Sequence, residues 1–274
     1  MLKQRVITAI IMVSVFASVL VFLPWQAFAV LAAGVFLVGA WEWAPLAGVT
    51  SALGRVAYAL STGILGAVLS YFTHWQSDTE LLQTLLVGAC VWWAVALLWI
   101  QGYPSSAVLW RAPPLRMLMG WLVIVPAWLG CLYLRSQTSG AWLILIVVLA
   151  VAAADIGAYF SGRAFGKRKL AVNVSPGKSW EGVWGGLCAS VVFALIVFFV
   201  AGAPYWWVPI VVILPSAMIS VVGDLLESML KRHTGIKDSS QLLPGHGGVL
   251  DRIDGLVAAV PVFTLAYLSA GWGL

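Results

Sequence analysis

The sequence predicts an all-α fold: a polytopic membrane bundle of about nine transmembrane helices with a cytoplasmic N-terminus. Hydrophobic residues make up 62% of the 274 residues and charged residues only 9%, whereas soluble domains are about 25% charged. Charge this scarce cannot cover a surface that faces water. The apolar residues form long runs without strand-like alternation, and backbone in lipid must satisfy its own hydrogen bonds, so helices are favoured over a barrel.

Nine apolar runs approach the roughly 20 residues that a membrane span requires. We predict spans over residues 6–24, 26–44, 53–73, 81–102, 116–134, 141–161, 182–203, 206–230 and 254–273. The first run is longer than a signal-peptide core, which is usually about 7–15 residues, so we interpret it as an uncleaved anchor. Ala27-Phe28-Ala29 resembles a cleavage site, which leaves removal of the first run as the alternative.

The distribution of Lys and Arg predicts the orientation. If the N-terminus is cytoplasmic, fourteen of these residues lie on the cytoplasmic side and only Arg135 lies outside. The fourteen are Lys3, Arg5, Arg55, Arg111, Arg116, Arg163, Lys167, Arg168, Lys169, Lys178, Lys231, Arg232, Lys237 and Arg252. The positive-inside rule therefore favours this orientation. We expect the protein to lie in the inner membrane of a bacterium.

Chemistry-bearing residues concentrate in the second half of the chain. We predict an N-terminal region of transmembrane helices over residues 1–135 and a catalytic region over residues 136–274. The catalytic region includes two cytoplasmic loops, 162–181 and 231–252, both rich in Gly, Ser and Lys. The active site is therefore expected to face the cytoplasm.

Acidic residues in predicted membrane helices indicate function, because an ionisable group there is costly. Asp155 lies in the last turns of the sixth span, Asp224 and Glu227 in those of the eighth, and Asp251 and Asp254 open the ninth. Carboxylates brought together from different helices would form the oxygen cage that suits Mg²⁺, with substrate phosphates as further ligands. We predict Asp155, Asp224, Asp251 and Asp254 as metal ligands.

Some acids have a structural alternative. Glu227 and Lys231 are four residues apart on a helix and could form an ion pair. Asp155 could also form an ion pair with Arg163, which lies about two helical turns after it. Glu42 stands between two tryptophans at a helix end, and we interpret it as structural.

The first loop has features of an anion site. Residues 175–182, Ser-Pro-Gly-Lys-Ser-Trp-Glu-Gly, lead directly into a helix, and small residues at a helix start allow backbone N–H groups to approach an anion. Lys178 adds a cation and Ser179 a hydroxyl. A basic run precedes this segment: Arg163, Lys167, Arg168 and Lys169. The run either binds substrate phosphates or attracts anionic lipid headgroups.

The second loop contains Pro244-Gly245-His246-Gly247-Gly248, in which three glycines around one histidine indicate close backbone approach to a ligand. No Cys or second His follows at zinc spacing, so zinc is not expected. Carboxylates, phosphate-binding loops and cations at one membrane face together indicate phosphoryl or nucleotidyl transfer to a lipid.

Three segments form one longer pattern: residues 228–232 (Ser-Met-Leu-Lys-Arg), Lys237-Asp238, and residues 243–254, Leu-Pro-Gly-His-Gly-Gly-Val-Leu-Asp-Arg-Ile-Asp. This pattern resembles the signature of the phosphatidate cytidylyltransferase (CDP-diacylglycerol synthase) family, and with residues upstream it covers roughly 150–260. The resemblance implies that CTP and phosphatidate yield CDP-diacylglycerol and pyrophosphate. It also implies a requirement for Mg²⁺, with K⁺ as a second metal, and assigns the metal to Asp224 and Asp251.

The resemblance and the residue chemistry together give a set of expected site residues. The expected catalytic residues are Asp224, Asp251, Lys231 and Arg252. The expected substrate-binding residues are Lys167, Ser175, Lys178, Ser179, Glu181, Ser228, Arg232, Lys237, Asp238, His246, Gly247 and Gly248. Because the phosphate of phosphatidate is already an anion at neutral pH, the reaction needs no general base.

The expected partners are CTP, phosphatidate and membrane lipids, with no nucleic acid, and the sequence leaves assembly as a homodimer open. A CTP-dependent kinase of a polyprenol or other lipid is the closest alternative enzyme. A CDP-alcohol phosphatidyltransferase is disfavoured because that family's Asp-Gly-x2-Ala-Arg pattern is absent. An ion-coupled transporter is the alternative of a different class, but the acids gather at one face and no repeated halves are visible.

Overall fold

The computed structural model describes residues 2–75, 78–203 and 205–272, with side chains from residue 6 onwards. The helices are α1 (Leu2–Phe22), α2 (Trp25–Leu46), α3 (Ala52–Phe72), α4 (Glu80–Gln101), α5 (Ala107–Trp110), α6 (Pro113–Ser136), α7 (Gly140–Phe165), α8 (Trp180–Ala201), α9 (Trp207–Thr234) and α10 (Leu250–Ala270). Two short strands, β1 (Lys169–Ala171) and β2 (Ser175–Ser179), lie between α7 and α8.

The all-α membrane fold is confirmed. In the described part of the chain, eight helices are long and apolar enough to cross a membrane: α2, α3, α4, α6, α7, α8, α9 and α10. Helix α1 contributes a shorter apolar stretch, Val6–Phe22. These helices match the nine predicted spans in order, and most of their ends differ from the predicted ones by only a few residues.

The two predicted loops are shorter than expected, because the helices continue into them. Helix α7 ends at Phe165 and α9 at Thr234, while α10 already begins at Leu250. Lys231, Arg232 and Arg252 therefore lie on helices and not in a loop. The loop between α9 and α10 comprises residues 235–249, and we call it the glycine loop.

The first loop contains a β-hairpin that the sequence analysis did not predict. Strand β1 pairs antiparallel with β2, with Lys169 opposite Ser179. The hairpin runs directly into α8, whose first turn is capped because the Ser179 hydroxyl accepts a hydrogen bond from Gly182 N at 3.2 Å. The hairpin therefore holds the residues before α8 in a fixed position.

Contacts between distant segments place the loops at one end of the bundle. The Thr8 hydroxyl at the start of α1 donates to Pro244 O in the glycine loop at 3.1 Å. The Asn173 side chain at the hairpin turn donates to Tyr103 O, after α4, at 3.2 Å. We call the end of the bundle that holds the glycine loop and the hairpin the motif end. At the opposite end, Arg135 donates to carbonyl groups that close α1, so the chain alternates between the two ends as the predicted topology requires.

Small residues allow the helices of the catalytic region to pack closely. A Cβ atom on Gly157 of α7 would lie 2.6 Å from the carbonyl oxygen of Gly185 on α8, and one on Gly223 of α9 would collide with the carbonyl oxygen of Asp254 on α10. Close backbone approach through glycine is the usual packing device of membrane helices. Helix α10 also packs on α6 and α4, while the predicted division at residue 135 stays a prediction.

Candidate active site

The candidate active site lies at the motif end, where the hairpin meets α9. Lys178 on β2 places its Nζ atom 2.5 Å from Oδ2 of Asp224 on α9, and the two side chains are 27% and 36% exposed. The Ser228 hydroxyl donates to the other oxygen of Asp224 at 3.2 Å, which confirms that these two residues share a helix face. A cation and an acid from separate motifs thus form one partly exposed pair.

A second lysine bridges α9 and α10. Lys231 Nζ lies 3.2 Å from Oε1 of Glu227 and 2.7 Å from Oδ1 of Asp251, and its side chain is 15% exposed. The ion pair between Glu227 and Lys231, four residues apart, was one of the alternatives that the sequence left open. The contact with Asp251 shows that Lys231 also fixes α9 against the start of α10.

Asp251 organises the glycine loop. Its carboxylate accepts hydrogen bonds from Ser239 N at 3.0 Å and from Gly248 N at 2.7 Å, in addition to the contact with Lys231. The side chain is only 4% exposed. A carboxylate offers about four lone-pair positions, so the protein itself occupies most of the capacity of Asp251.

Two further acids lie beside this network. Asp254 accepts a hydrogen bond from Gly255 N at 2.8 Å, and its backbone lies against Gly223, the residue before Asp224 on α9. Glu227 is almost fully buried, and the Lys231 ammonium at 3.2 Å is its charged partner. Two ammonium groups, those of Lys178 and Lys231, thus stand among four carboxylates of α9 and α10.

The donor chemistry of the cluster fits Mg²⁺. Among the residues that the structure describes, no three His, Cys, Asp or Glu side chains converge on one metal position. Mg²⁺ usually takes only one or two carboxylates, with waters and substrate phosphates as its other ligands. The ammonium groups of Lys178 and Lys231 stand against carboxylates of the cluster. The assignment of individual ligands stays a prediction.

A cavity of about 530 Å³ leads to the pair of Lys178 and Asp224. Its polar part is formed by Asp155, Arg163 and Lys178, and its other walls are mostly apolar side chains of α7, α8 and α9. Tyr159 and Met218 at its edge are well exposed, so the cavity is open at the side of the bundle. Asp155 lines this cavity. It lies ten residues before the end of α7 at Phe165, and therefore further from the helix end than the predicted span, which ended at residue 161.

Several predicted substrate-binding residues support the local fold. Ser179 caps α8, and the Glu181 carboxylate accepts from Lys167 N at 3.1 Å and from Arg168 N at 3.2 Å. The Arg232 side chain donates to Val174 O in the hairpin at 3.3 Å. These contacts order the hairpin, and a direct role of their side chains in substrate binding stays a prediction.

Other predicted residues form the rim of the site. Lys167, Lys237, Asp238 and Arg252 are exposed, and Ser175 and Gly247 are partly buried. Gly247 has a φ of +85°, and a Cβ atom there would lie 2.6 Å from Oδ2 of Asp251, so this position requires glycine. His246 is partly buried, and its Nδ1 atom is buried without a hydrogen-bond partner among the described residues. Its role in substrate binding stays a prediction.

The sequence analysis placed Glu42 at a helix end and interpreted it as structural, but it did not predict the partners of this residue. This residue is completely buried and accepts hydrogen bonds from the first backbone N–H groups of α10. An acid between two tryptophans in an apolar segment was the available signal, and it indicated only a structural residue.

Comparisons with known proteins give a consistent result. Residues 3–270 match the sequence profile of the cytidylyltransferase family. The phosphatidate cytidylyltransferase of Pseudomonas aeruginosa is 47% identical over 276 residues, which cover 100% of this chain and 99% of the relative. That of Haemophilus influenzae is 44% identical over 288 residues, which cover 97% and 99% of the two chains. The protein of the same name from Mycobacterium leprae is 37% identical over 62% of this chain and 54% of its own length.

Proposed function

The chain belongs to the cytidylyltransferase family, and from this premise we infer that it is a membrane enzyme that converts CTP and phosphatidate into CDP-diacylglycerol and pyrophosphate for phospholipid biosynthesis. The full-length relatives named phosphatidate cytidylyltransferase support this reaction. Within the structure, the observation that carries it is the cavity whose mostly apolar wall ends at Lys178, the partner of Asp224. Such a cavity suits a lipid with a phosphate headgroup.

The alternatives are less consistent with the site. A transporter would need its ionisable groups near the middle of the bundle, whereas the charged pairs found here are grouped at the motif end. A lipid kinase would share the metal and phosphate chemistry, but the named relatives are nucleotidyltransferases.

We propose Mg²⁺ as the cofactor, with K⁺ as a second metal. Asp224, whose side chain is 36% exposed, would bind the metal in exchange for its contact with Lys178. Asp254 would add a second carboxylate, and Asp251 would join them if one of its present contacts were released. Asp155 lies on the cavity wall and would act as an outer ligand. When bound, the metal would neutralise phosphate charge and reduce the repulsion between the two substrates.

The residues of the chain position the reacting groups. A phosphate oxygen of phosphatidate forms a bond to the α-phosphorus of CTP, and the bond from that phosphorus to the oxygen bridging to the β-phosphate breaks. Pyrophosphate leaves with the bonding electrons. We propose that Lys178 binds the headgroup phosphate at the polar part of the cavity, and that Arg232, Lys237 and Arg252 hold the triphosphate at the rim. Charge-assisted contacts of this kind are the main protein contribution to phosphoryl transfer.

The cavity wall contributes by excluding water. Its apolar side chains, such as Leu187, Val221 and Leu225, would contact the acyl chains near the glycerol, because burial of apolar surface favours that arrangement. The lipid would then enter from the side while its tails stay in the bilayer. Water would be kept from competing with phosphatidate as the nucleophile.

We also propose that the motif end faces the cytoplasm of a bacterium, with the enzyme in the inner membrane. The bacterial relatives and the positive-inside rule support this orientation. Assembly as a homodimer stays a prediction, which a mass measurement of the protein in detergent or nanodiscs would test.

The first experiment measures product formation by purified protein in detergent with dioleoyl phosphatidate, labelled CTP, Mg²⁺ and K⁺. We expect the wild type to form CDP-diacylglycerol. The variant Asp224→Asn should lose about 100-fold or more in rate, because a charged group beside the reacting phosphates is removed. Glu80→Gln, at the opposite end of the bundle, should keep full activity. A folded wild type that forms no CDP-diacylglycerol but phosphorylates a polyprenol would overturn the assignment in favour of the kinase.

A further inference from the structure

Glu42 lies on α2, outside the predicted catalytic region, yet its carboxylate hydrogen-bonds to the glycine loop and to the start of α10. It is 0% exposed. Its oxygens accept hydrogen bonds from Val249 N at 3.0 Å and from Leu250 N at 2.6 Å. They also accept from the hydroxyl groups of Ser240 at 2.5 Å and Ser239 at 3.3 Å. Four donors therefore surround one buried acid.

Glu42 accepts hydrogen bonds from backbone N–H groups at the start of α10 that have no acceptor within the helix. The first backbone N–H groups of a helix have no partner within the helix, and the residue before α10, Val249, provides no side-chain cap. A carboxylate at this position satisfies the free N–H groups and interacts favourably with the helix dipole. Glu42 supplies from another helix the cap that the local sequence of α10 lacks.

The same loop residues are held from two sides. Ser239 donates its backbone N–H to Asp251 and its hydroxyl to Glu42. Gly248 donates its N–H to Asp251, and a Cβ atom on Gly248 would lie 2.7 Å from Oε1 of Glu42 and would collide with the Ser239 hydroxyl. Only glycine fits there while both acids keep their contacts. Glu42 and Asp251 thus share one rigid network.

We propose that Glu42 is a positioning residue for cytidylyl transfer. By fixing the first turn of α10 against α2, it holds Asp251, Arg252 and Asp254 in the places that the reaction requires. It touches neither substrate and acts only through the loop and the helix. The inference rests on the proposed function for the chemistry of the site, and it assigns a role in that chemistry to the N-terminal region.

The test replaces Glu42 by glutamine, which keeps the size of the side chain but presents an N–H₂ group where an acceptor is needed. Asp78→Asn is the matched control, because Asp78 caps α4 at the opposite end by accepting from Glu80 N at 2.9 Å. Both purified variants are compared with wild type for thermal unfolding in detergent, kcat, the KM for CTP and the Mg²⁺ concentration for half-maximal rate.

We expect Glu42→Gln to lower kcat about 10- to 100-fold per folded molecule, since small displacements of catalytic groups have effects of this size. The half-maximal Mg²⁺ concentration should rise, because Asp251 and Asp254 move with α10. Asp78→Asn should change kcat by less than about twofold, as expected for a distant site. A purely structural role of Glu42 would lower the unfolding temperature alone and leave kcat and the Mg²⁺ dependence unchanged.

Unchanged kcat and Mg²⁺ dependence in folded Glu42→Gln would overturn the inference. If that variant does not fold, Ser240→Ala decides, because it removes one donor and leaves the carboxylate in place. We expect Ser240→Ala to lower kcat about threefold or more through slight misplacement of α10, and an unaffected kcat would overturn the inference. An inactive wild type would instead overturn the proposed function, so the two failures are distinguishable.

Discussion

Lys178 shows how a single residue acquires its role from its surroundings. The side chain extends from the hairpin to Asp224 and also lines the cavity. It is only about one quarter exposed, whereas the neighbouring basic residues Lys167 and Lys169 are exposed to solvent. Arg163 and Lys178 both line the cavity, and of the two Lys178 is the one in contact with Asp224.

Replacing Lys178 by methionine should lower kcat/KM for phosphatidate about 100-fold or more, because the variant keeps the apolar stem and removes the charge that faces the headgroup phosphate. The measurement is steady-state formation of CDP-diacylglycerol in detergent. Lys169→Met on the adjacent strand is the control and should retain activity close to that of wild type. Equal losses in the two variants would contradict a specific role and indicate a general effect of surface charge.

Asp251 illustrates what residue-level reasoning could not resolve. The resemblance assigns it to the metal, together with Asp224. The structure shows its carboxylate held by Lys231 and by two backbone N–H groups, while Asp224 is more than one third exposed in its side chain. The two acids thus differ in availability, and this difference depends on contacts that the motif does not contain.

At the scale of elements, the site depends on how closely α9 and α10 approach each other. Gly223 precedes Asp224, and its α-carbon faces the backbone of Asp254. On the other helix, a Cβ atom on Gly255 would lie 3.4 Å from Cβ of Ser220. Glycines on both helices therefore bring two of the expected metal ligands together.

Gly223→Ala should separate α9 from α10 locally and reduce kcat about 100-fold, since its Cβ atom would meet a backbone oxygen that cannot move alone. It should also destabilise the fold by about 1–3 kcal/mol, as overpacking does. Activity and thermal unfolding in detergent measure the two effects. Gly88→Ala on α4 is the control, because nothing lies within 4 Å of its Cβ position. If Gly223→Ala proves as active as Gly88→Ala, close packing is not required for catalysis.

At the scale of the whole molecule, the helices deliver residues from distant parts of the chain to the motif end. The β-hairpin, the ends of α7 and α9 and the start of α10 meet there, and α2 contributes Glu42 from the N-terminal region. Orientation in the membrane then decides which substrates can reach the site. Positive residues near the hairpin predict that this end faces the cytoplasm.

Single cysteines test this orientation in a variant whose native cysteines are replaced by alanine. Thr138→Cys, in the turn between α6 and α7, should react with a membrane-impermeant maleimide added to spheroplasts. Lys169→Cys, on the hairpin, should react only after the membrane is permeabilised, because the positive-inside rule places it within the cell. The opposite labelling pattern would reverse the topology and exclude a cytoplasmic active site.

Much of this protein follows from the sequence alone. The fold class was predictable because lipid demands apolar segments of a certain length and leaves few positions for charge. The chemistry was predictable because the motif residues lie close together in the sequence, within residues 228–254. In addition, acids in membrane helices indicate function. The contacts between Glu227 and Lys231 and between Asp224 and Ser228 follow from helical spacing, and both are confirmed.

Only the tertiary structure decided which charges meet. Lys178 reaches Asp224 from another element, and Glu42 caps α10 across 208 residues of chain. The β-hairpin also escaped prediction, because its strands have three and five residues and carry no clear alternation. Local patterns determine helices and spacing within them, whereas a contact between helices depends on how all of them pack. The sequence therefore determined the membrane fold and the reaction class, and packing decided which carboxylates and lysines pair with each other.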